Sequence, residues 1–142
     1  MSGMRFLRLC AWAAAAASAW AQGLPANPLQ GKYHVHHLMA VHSGGVFQDT
    51  RSISGAITFD GNGGYTFTGM QMLGASSETN FSASGTYSVN LNGVVTMTNP
   101  QRPTAQIEAR LGRGILAGSS VEAGGNLFDL FVAVPAIEGG TQ

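Results

Sequence analysis

The chain has 142 residues, with seven Lys and Arg and seven Asp and Glu, so its formal net charge is zero when the histidines are neutral. Arg5 and Arg8 lie near the N-terminus, which leaves five basic and seven acidic residues after position 21. With so few charges and no basic cluster, the chain is not expected to bind nucleic acid or an anionic membrane surface.

The first 21 residues predict a helical signal peptide and are set apart from the folded domain. Arg5 and Arg8 form a basic head, and the apolar run over 9–21 is shorter than the roughly 20 residues that span a bilayer. The run ends in Ala19-Trp20-Ala21, which predicts cleavage before Gln22, with an uncleaved anchor as the alternative. We expect an exported protein whose mature chain has no membrane span.

Cys10, the only cysteine, lies inside the predicted signal peptide, so no disulfide or thiol chemistry is expected in the mature chain. The remainder is long enough for one domain with its own core. We predict an extended leader over 22–30, a barrel domain over 31–135 and a flexible tail over 136–142, whose Gly-Gly-Thr-Gln ending resembles a linker.

Alternating apolar and polar residues predict eight strands, joined by short connections rich in Gly, Asn, Ser and Pro. The predicted strands cover residues 31–41, 52–59, 64–72, 81–89, 94–98, 104–111, 115–121 and 127–134. Short connections require antiparallel neighbours, because a parallel return needs a crossover of a dozen residues or more. The predicted fold is therefore all-β, an eight-stranded antiparallel meander that closes into a small up-and-down barrel.

A repeat supports the meander, since fifteen residues from Ser54 to Thr68 recur from Ser84 to Thr98 with six identities. Each copy has an Asn-Gly pair between two alternating segments, which predicts a hairpin with a tight turn. Asp60 gives the first turn part of a calcium-binding pattern, but no Glu follows to complete it. We interpret both segments as turns.

Period-two alternation assigns one face of each strand to the interior. Among these interior positions, a candidate site for a small apolar ligand consists of Tyr33, His37, Phe59, Phe67 and Tyr87. The same side chains could instead fill a solid core, and the sequence leaves both possibilities open. His37 has the parity of the core, so we expect it to form hydrogen bonds inside the barrel or at its mouth.

The histidines of the chain all lie within nine residues. On a strand His34 and His36 project to one face, with His42 further along it, and a His-x-His pair can bind zinc or copper. These three residues are a candidate metal site. Alternatively they are solvent-facing strand histidines, because Leu38 and Ala40 share their face.

No nucleophile elbow, His-Glu-x-x-His motif or suggestive pair of carboxylates is present, so we expect neither an enzyme nor a cofactor. Asp129 interrupts the most apolar strand. Its parity relative to Phe128 and Leu130 predicts that it faces outward as a solubilising charge. If it were buried it would have to be paired or protonated, which would indicate a functional site.

Several segments resemble parts of a group of secreted β-rich domains from soil bacteria. They are LQGKYHV at 29–35, GAITFDGNG at 55–63, GTYSV at 85–89 and FDLFVAVP at 128–135. The resemblance implies export and a β fold, in some cases ahead of further extracellular modules, and it carries over no catalytic residues. The predicted topology is also similar in kind to lipocalin and avidin barrels.

The sequence thus predicts an exported barrel domain with a non-enzymatic structural or binding role at the cell envelope. One alternative is a lipocalin-like carrier of a small apolar ligand, and another is a His-based metal-binding module or enzyme. The expected partners are a small apolar ligand or another envelope protein.

Overall fold

The computed structural model of the protein describes residues 29–121 and 125–137. The predicted signal peptide, most of the predicted leader and most of the predicted tail lie outside these residues. Within them, every regular element is a β-strand. The strands are β1 (Gln30–Ser43), β2 (Val46–Asp60), β3 (Gly64–Leu73), β4 (Thr79–Val89), β5 (Val94–Asn99), β6 (Arg102–Gly112), β7 (Ile115–Val121) and β8 (Leu127–Pro135).

The predicted eight-stranded antiparallel barrel is confirmed. Each strand pairs with the next one in the chain, and β8 returns to pair with β1 over nine residue pairs, from Tyr33 opposite Pro135 to Val41 opposite Leu127. Closure pairs the first and last strands, so the sheet has no free edge for another chain to join. No helix in the described ranges is long and apolar enough to cross a membrane.

The first hairpin is longer than predicted. β2 begins at Val46, whereas the second strand was predicted to begin at residue 52, and the turn consists of Gly44 and Gly45. Both glycines have positive φ, 61° and 85°, which is the backbone that a two-residue hairpin turn requires. The polar residues that suggested a loop are strand residues at the barrel rim, where both faces of the hairpin meet solvent.

The two repeat hairpins have the same turn geometry. The Oδ1 atom of Asp60 accepts hydrogen bonds from the backbone N–H groups of Asn62 and Gly64, at 2.7 and 2.9 Å. Asn90 Oδ1 does the same with Asn92 and Val94, at 2.9 and 3.0 Å. The bonds from Gly64 and Asn62 lower the pKa of Asp60. The interpretation of these segments as turns is supported by these contacts.

Close approach of two strands explains the paired glycines Gly55 and Gly69, which lie opposite each other in β2 and β3. A Cβ atom at Gly69 would lie 2.8 Å from the Gly55 Cα and 2.9 Å from the Phe67 ring. Any larger residue would therefore push the two strands apart at this point of the wall.

The barrel has two unlike ends. We call the end with the β2–β3, β4–β5 and β6–β7 turns the aromatic end, because the buried rings of Tyr33, Phe59, Tyr65 and Tyr87 lie towards it. The opposite end, with the β1–β2, β3–β4, β5–β6 and β7–β8 connections, we call the polar end. Residues 122–124 of the last connection are outside the described part.

Candidate functional site

Five polar side chains meet inside the barrel near its polar end, and we call them the polar cluster. They are His37 on β1, Asn99 at the end of β5, Gln101 in the β5–β6 connection, Ser120 on β7 and Asp129 on β8. His37 and Ser120 face inward because their partners in neighbouring strands do: His37 lies opposite Phe131, and Ser120 opposite Ile107. Directly paired residues of antiparallel strands share one face of the sheet.

The prediction that Asp129 faces outward is wrong. Asp129 lies opposite the buried Met39, and its side chain is 0% exposed. Phe128 and Leu130 point outward instead, with 58% and 55% of their surface exposed. β8 carries apolar residues on both faces, so alternation alone could not distinguish its inner face from its outer one.

The Asp129 carboxylate accepts hydrogen bonds from four donors. His37 Nε2 lies 2.9 Å away, the Ser120 hydroxyl 2.6 Å and the Asn99 amide 3.3 Å, and the Ser120 backbone N–H is the fourth. Burial raises the pKa of Asp129, but the hydrogen bonds from His37 and Ser120 outweigh it and hold this pKa below its ordinary value. The cluster therefore holds an ionised carboxylate inside the barrel.

Gln101 fixes the tautomer of His37. The amide nitrogen of Gln101 lies 3.1 Å from His37 Nδ1 and 3.1 Å from the His37 carbonyl oxygen. A carbonyl oxygen can only accept, so Gln101 must present N–H groups here, and Nδ1 of His37 must accept. The remaining nitrogen, Nε2, then carries the proton that it donates to Asp129. The prediction that His37 forms hydrogen bonds inside the barrel is confirmed.

The β5–β6 connection folds into the barrel and helps to close it. Asn99 Oδ1 accepts from the backbone N–H groups of Gln101 and Arg102, at 2.8 and 3.1 Å, and its amide donates to Ser120 at 2.8 Å. Asn99 and Gln101 are 0% and 5% exposed. Gln101 Oε1 is buried without a hydrogen-bond partner, which is a local cost within an otherwise satisfied network.

Ser120, His37 and Asp129 are the residue types of a hydrolytic triad, but their connections differ from one. In a triad the serine hydroxyl donates to histidine, and the carboxylate holds the other ring nitrogen. Here the Ser120 hydroxyl donates to Asp129, and the second nitrogen of His37 faces Gln101. The arrangement ties β1, β5, β7 and β8 together at one level of the barrel.

The five candidate ligand-binding residues all point into the barrel and are buried. Phe59 packs edge-on against Tyr33 and Tyr87, with ring centroids 5.5 and 5.0 Å apart. Phe67 packs against Phe81 at 5.9 Å, whereas His37 lies further towards the polar end. Their binding of a ligand stays a prediction.

Hydrogen bonds hold two of the rings at the aromatic end. The Tyr87 hydroxyl donates to the Leu29 carbonyl at 2.6 Å and accepts from the Gly61 backbone N–H at 3.0 Å. The Tyr65 hydroxyl donates to the Thr98 carbonyl at 2.7 Å, and burial raises the pKa of Tyr65 to about 12. These phenols therefore tie Leu29, the β2–β3 turn and strand β5 to the core.

The three candidate metal ligands are not brought together. His34 and His36 are exposed on the outer face of β1, and His42 follows a register shift and packs edge-on against Phe47. Over residues 29–121 and 125–137, no three His, Cys, Asp or Glu side chains are grouped so that they could hold a metal ion. The hypothesis of a metal site stays a prediction, and the described part of the chain offers no set of ligands for it.

Sequence reasoning found His37 but missed Asn99, Gln101 and Ser120. Each is a common polar residue at a strand end or in a turn, and nothing local marks it as buried. The single available signal was Asp129, a carboxylate in an apolar strand.

No protein-family model, no curated protein and no solved structure matches the chain. The resemblance to secreted domains of soil bacteria therefore stays a prediction. The function has to be inferred from the barrel and its side chains.

Proposed function

We propose that this protein is an exported β-barrel domain with a non-enzymatic structural or binding role at the cell envelope. The observation that supports this proposal is that the protein's own side chains occupy the interior of the barrel. A carrier barrel needs a lumen for its ligand, and an enzyme needs reactive groups that a substrate can reach.

The aromatic half of the interior favours a solid core over a carrier. Phe59 and Phe67 are each 1% exposed, and Phe59 contacts three rings at centroid distances of 5.0 to 6.2 Å. Edge-to-face contacts at such distances are typical of packed aromatic cores. A ligand placed here would have to displace these rings from one another.

The polar half argues against catalysis. The side chains of His37 and Asp129 are both 0% exposed, and each hydrogen-bonding group of the pair already has a partner within the cluster. A small apolar group of Met39, Ala105 and Leu127 lies between the cluster and the mouth. The cluster is therefore suited to holding strands together, as satisfied buried networks do.

Native mass spectrometry of the chain recovered from the exported fraction of expressing cells tests this proposal. We expect the mass of a chain that begins at Gln22. We expect no small molecule to be released on denaturation. A copurifying apolar compound would instead support a carrier. Retention in the cell with residues 1–21 still attached would contradict export.

A hydrolase screen with simple ester substrates tests the non-enzymatic part. We expect the wild type and Ser120→Ala to give the same background rate. A rate that depends on Ser120 would contradict the proposal, with the exposed Ser119→Ala change as the matched control.

A further inference from the structure

The outer surface of the barrel has an apolar area where β8, β1 and β3 present large side chains to solvent. We call it the outer apolar face, and it consists of Leu38, Ala40, Met72, Phe128, Leu130 and Val134. Leu38 lies opposite Leu130, and Ala40 opposite Phe128, so the four form one block across the β1–β8 seam. Leu38, Phe128 and Leu130 are each more than half exposed.

The face has almost no charge. From His34 to Ala40 on β1, and along the outward side of β8, no outward-facing residue is Lys, Arg, Asp or Glu. The neighbouring outward positions on β2, opposite Ala40 and Leu38, are Thr50 and Ser52. Arg51 and Asp129 also line the depression, but Arg51 is paired with Asp49, and Asp129 with His37 and Ser120. Two copies of the face therefore meet without like-charge repulsion between unpaired groups.

The face combines a protruding ring with a depression. Phe128 is 58% exposed and stands beside a depression of about 470 Å³, which is lined in part by Ala40, Thr50, Ser52 and Met72. A twofold interface brings the same surface of both copies together, so a surface that has both a projection and a hollow can be complementary to itself.

The size of the face matches one half of a dimer interface. The exposed fractions of its large side chains correspond to roughly 450 Å² of apolar surface, inside the range in which single patches are often functional. A standard interface buries about 800 Å² per partner. Roughly 65% of a homodimer interface is apolar, or about 520 Å² per partner, which is close to the area of the face.

We propose that the outer apolar face is a homodimer interface, in which Phe128 of each copy inserts into the depression of the other. The exposed histidines His34 and His36 would form part of its polar rim, whereas Thr50 and Ser52 line the depression itself. This inference goes beyond the function proposed above and does not depend on it, since it rests on the outer surface alone.

Sedimentation equilibrium of the exported chain at micromolar concentrations tests the inference. We expect twice the monomer mass for the wild type. We expect the monomer mass for Leu38→Glu and Leu130→Glu, because each places a charge at the centre of the interface. Leu91→Glu is the matched control, since Leu91 is 87% exposed in the turn between β4 and β5, and it should leave the dimer unchanged.

A wild-type chain that sediments with the monomer mass overturns the inference. A monomer with a small apolar molecule bound to it also overturns the inference. A dimer that persists in both Glu variants also overturns it. Leu130→Ser, which introduces no charge, guards against a folding effect of the Glu changes. It should keep the wild-type circular dichroism spectrum and raise the dissociation constant at least ~10-fold.

Discussion

The two halves of the barrel interior are closed in different ways. The aromatic half is filled by rings whose contacts are non-directional, and its few side-chain hydrogen bonds run to backbone groups. The polar half depends on donors and acceptors with fixed roles, from the His37 tautomer to the orientation of the Gln101 amide. Substitutions should therefore cost stability through lost volume in one half and through unmatched polar groups in the other.

The largest effect is expected in the aromatic half. Phe59→Ala removes the ring at the centre of three aromatic contacts and leaves a cavity, so it should lower the free energy of unfolding by about 4 kcal/mol. Urea unfolding measures this. Leu91→Ala, in the exposed β4–β5 turn and away from the outer apolar face, is the control and should change the free energy of unfolding by less than ~0.5 kcal/mol. Similar losses for the two variants would show that the rings are not a packed core.

In the polar half, a substitution that conserves the shape of the side chain should still lower the free energy of unfolding. Asp129→Asn replaces one acceptor oxygen by an amide that faces donors from His37 and Ser120, which should cost about 2 to 3 kcal/mol. Asp60→Asn is the matched control, because the repeat hairpin already has Asn90 at the corresponding position with the same hydrogen bonds. We expect the control to be nearly neutral. A neutral Asp129→Asn would mean that the cluster does not need its charge.

A smaller effect is the pH dependence of folding stability, which should differ between variants in the two halves. The pKa of Asp129 is lower in the folded protein than in the unfolded chain, so its ionisation stabilises the fold above the unfolded value of about 4. This contribution is lost as the pH falls through the folded pKa. The stability difference between wild type and Asp129→Asn should therefore be constant near neutral pH and shrink below about pH 4. A difference that stays constant down to pH 2 would contradict this assignment; Phe59→Ala should show no such pH dependence.

The fold could be predicted because its signals are local. Alternation, Asn-Gly turns and short connections each act within about ten residues, and together they require an antiparallel meander. The start of β2 was missed because Gly44 and Gly45 form a turn inside a segment whose polar residues resembled a loop.

The polar cluster could not be predicted in the same way, because closure of the barrel creates it. His37 and Asp129 are 92 positions apart and meet only when β8 pairs with β1. The inner face of β8 could not be read from its own residues, since Phe128 and Leu130 are as apolar as the buried Phe131. The pairing of β8 with β1, which are far apart in the sequence, therefore determines which face of β8 is buried.

Both ends of the described chain emerge at one pole of the barrel. The Leu29 carbonyl is bound by Tyr87, and the backbone N–H of Ala136 donates to the carbonyl of Lys32 at 2.9 Å. A short peptide could therefore join residue 137 to residue 29, while new termini opened at Gly44 would leave all eight strand pairings in place. A circularly permuted version of this barrel would have its N- and C-termini at the polar end. The eight strands and their pairing would stay the same.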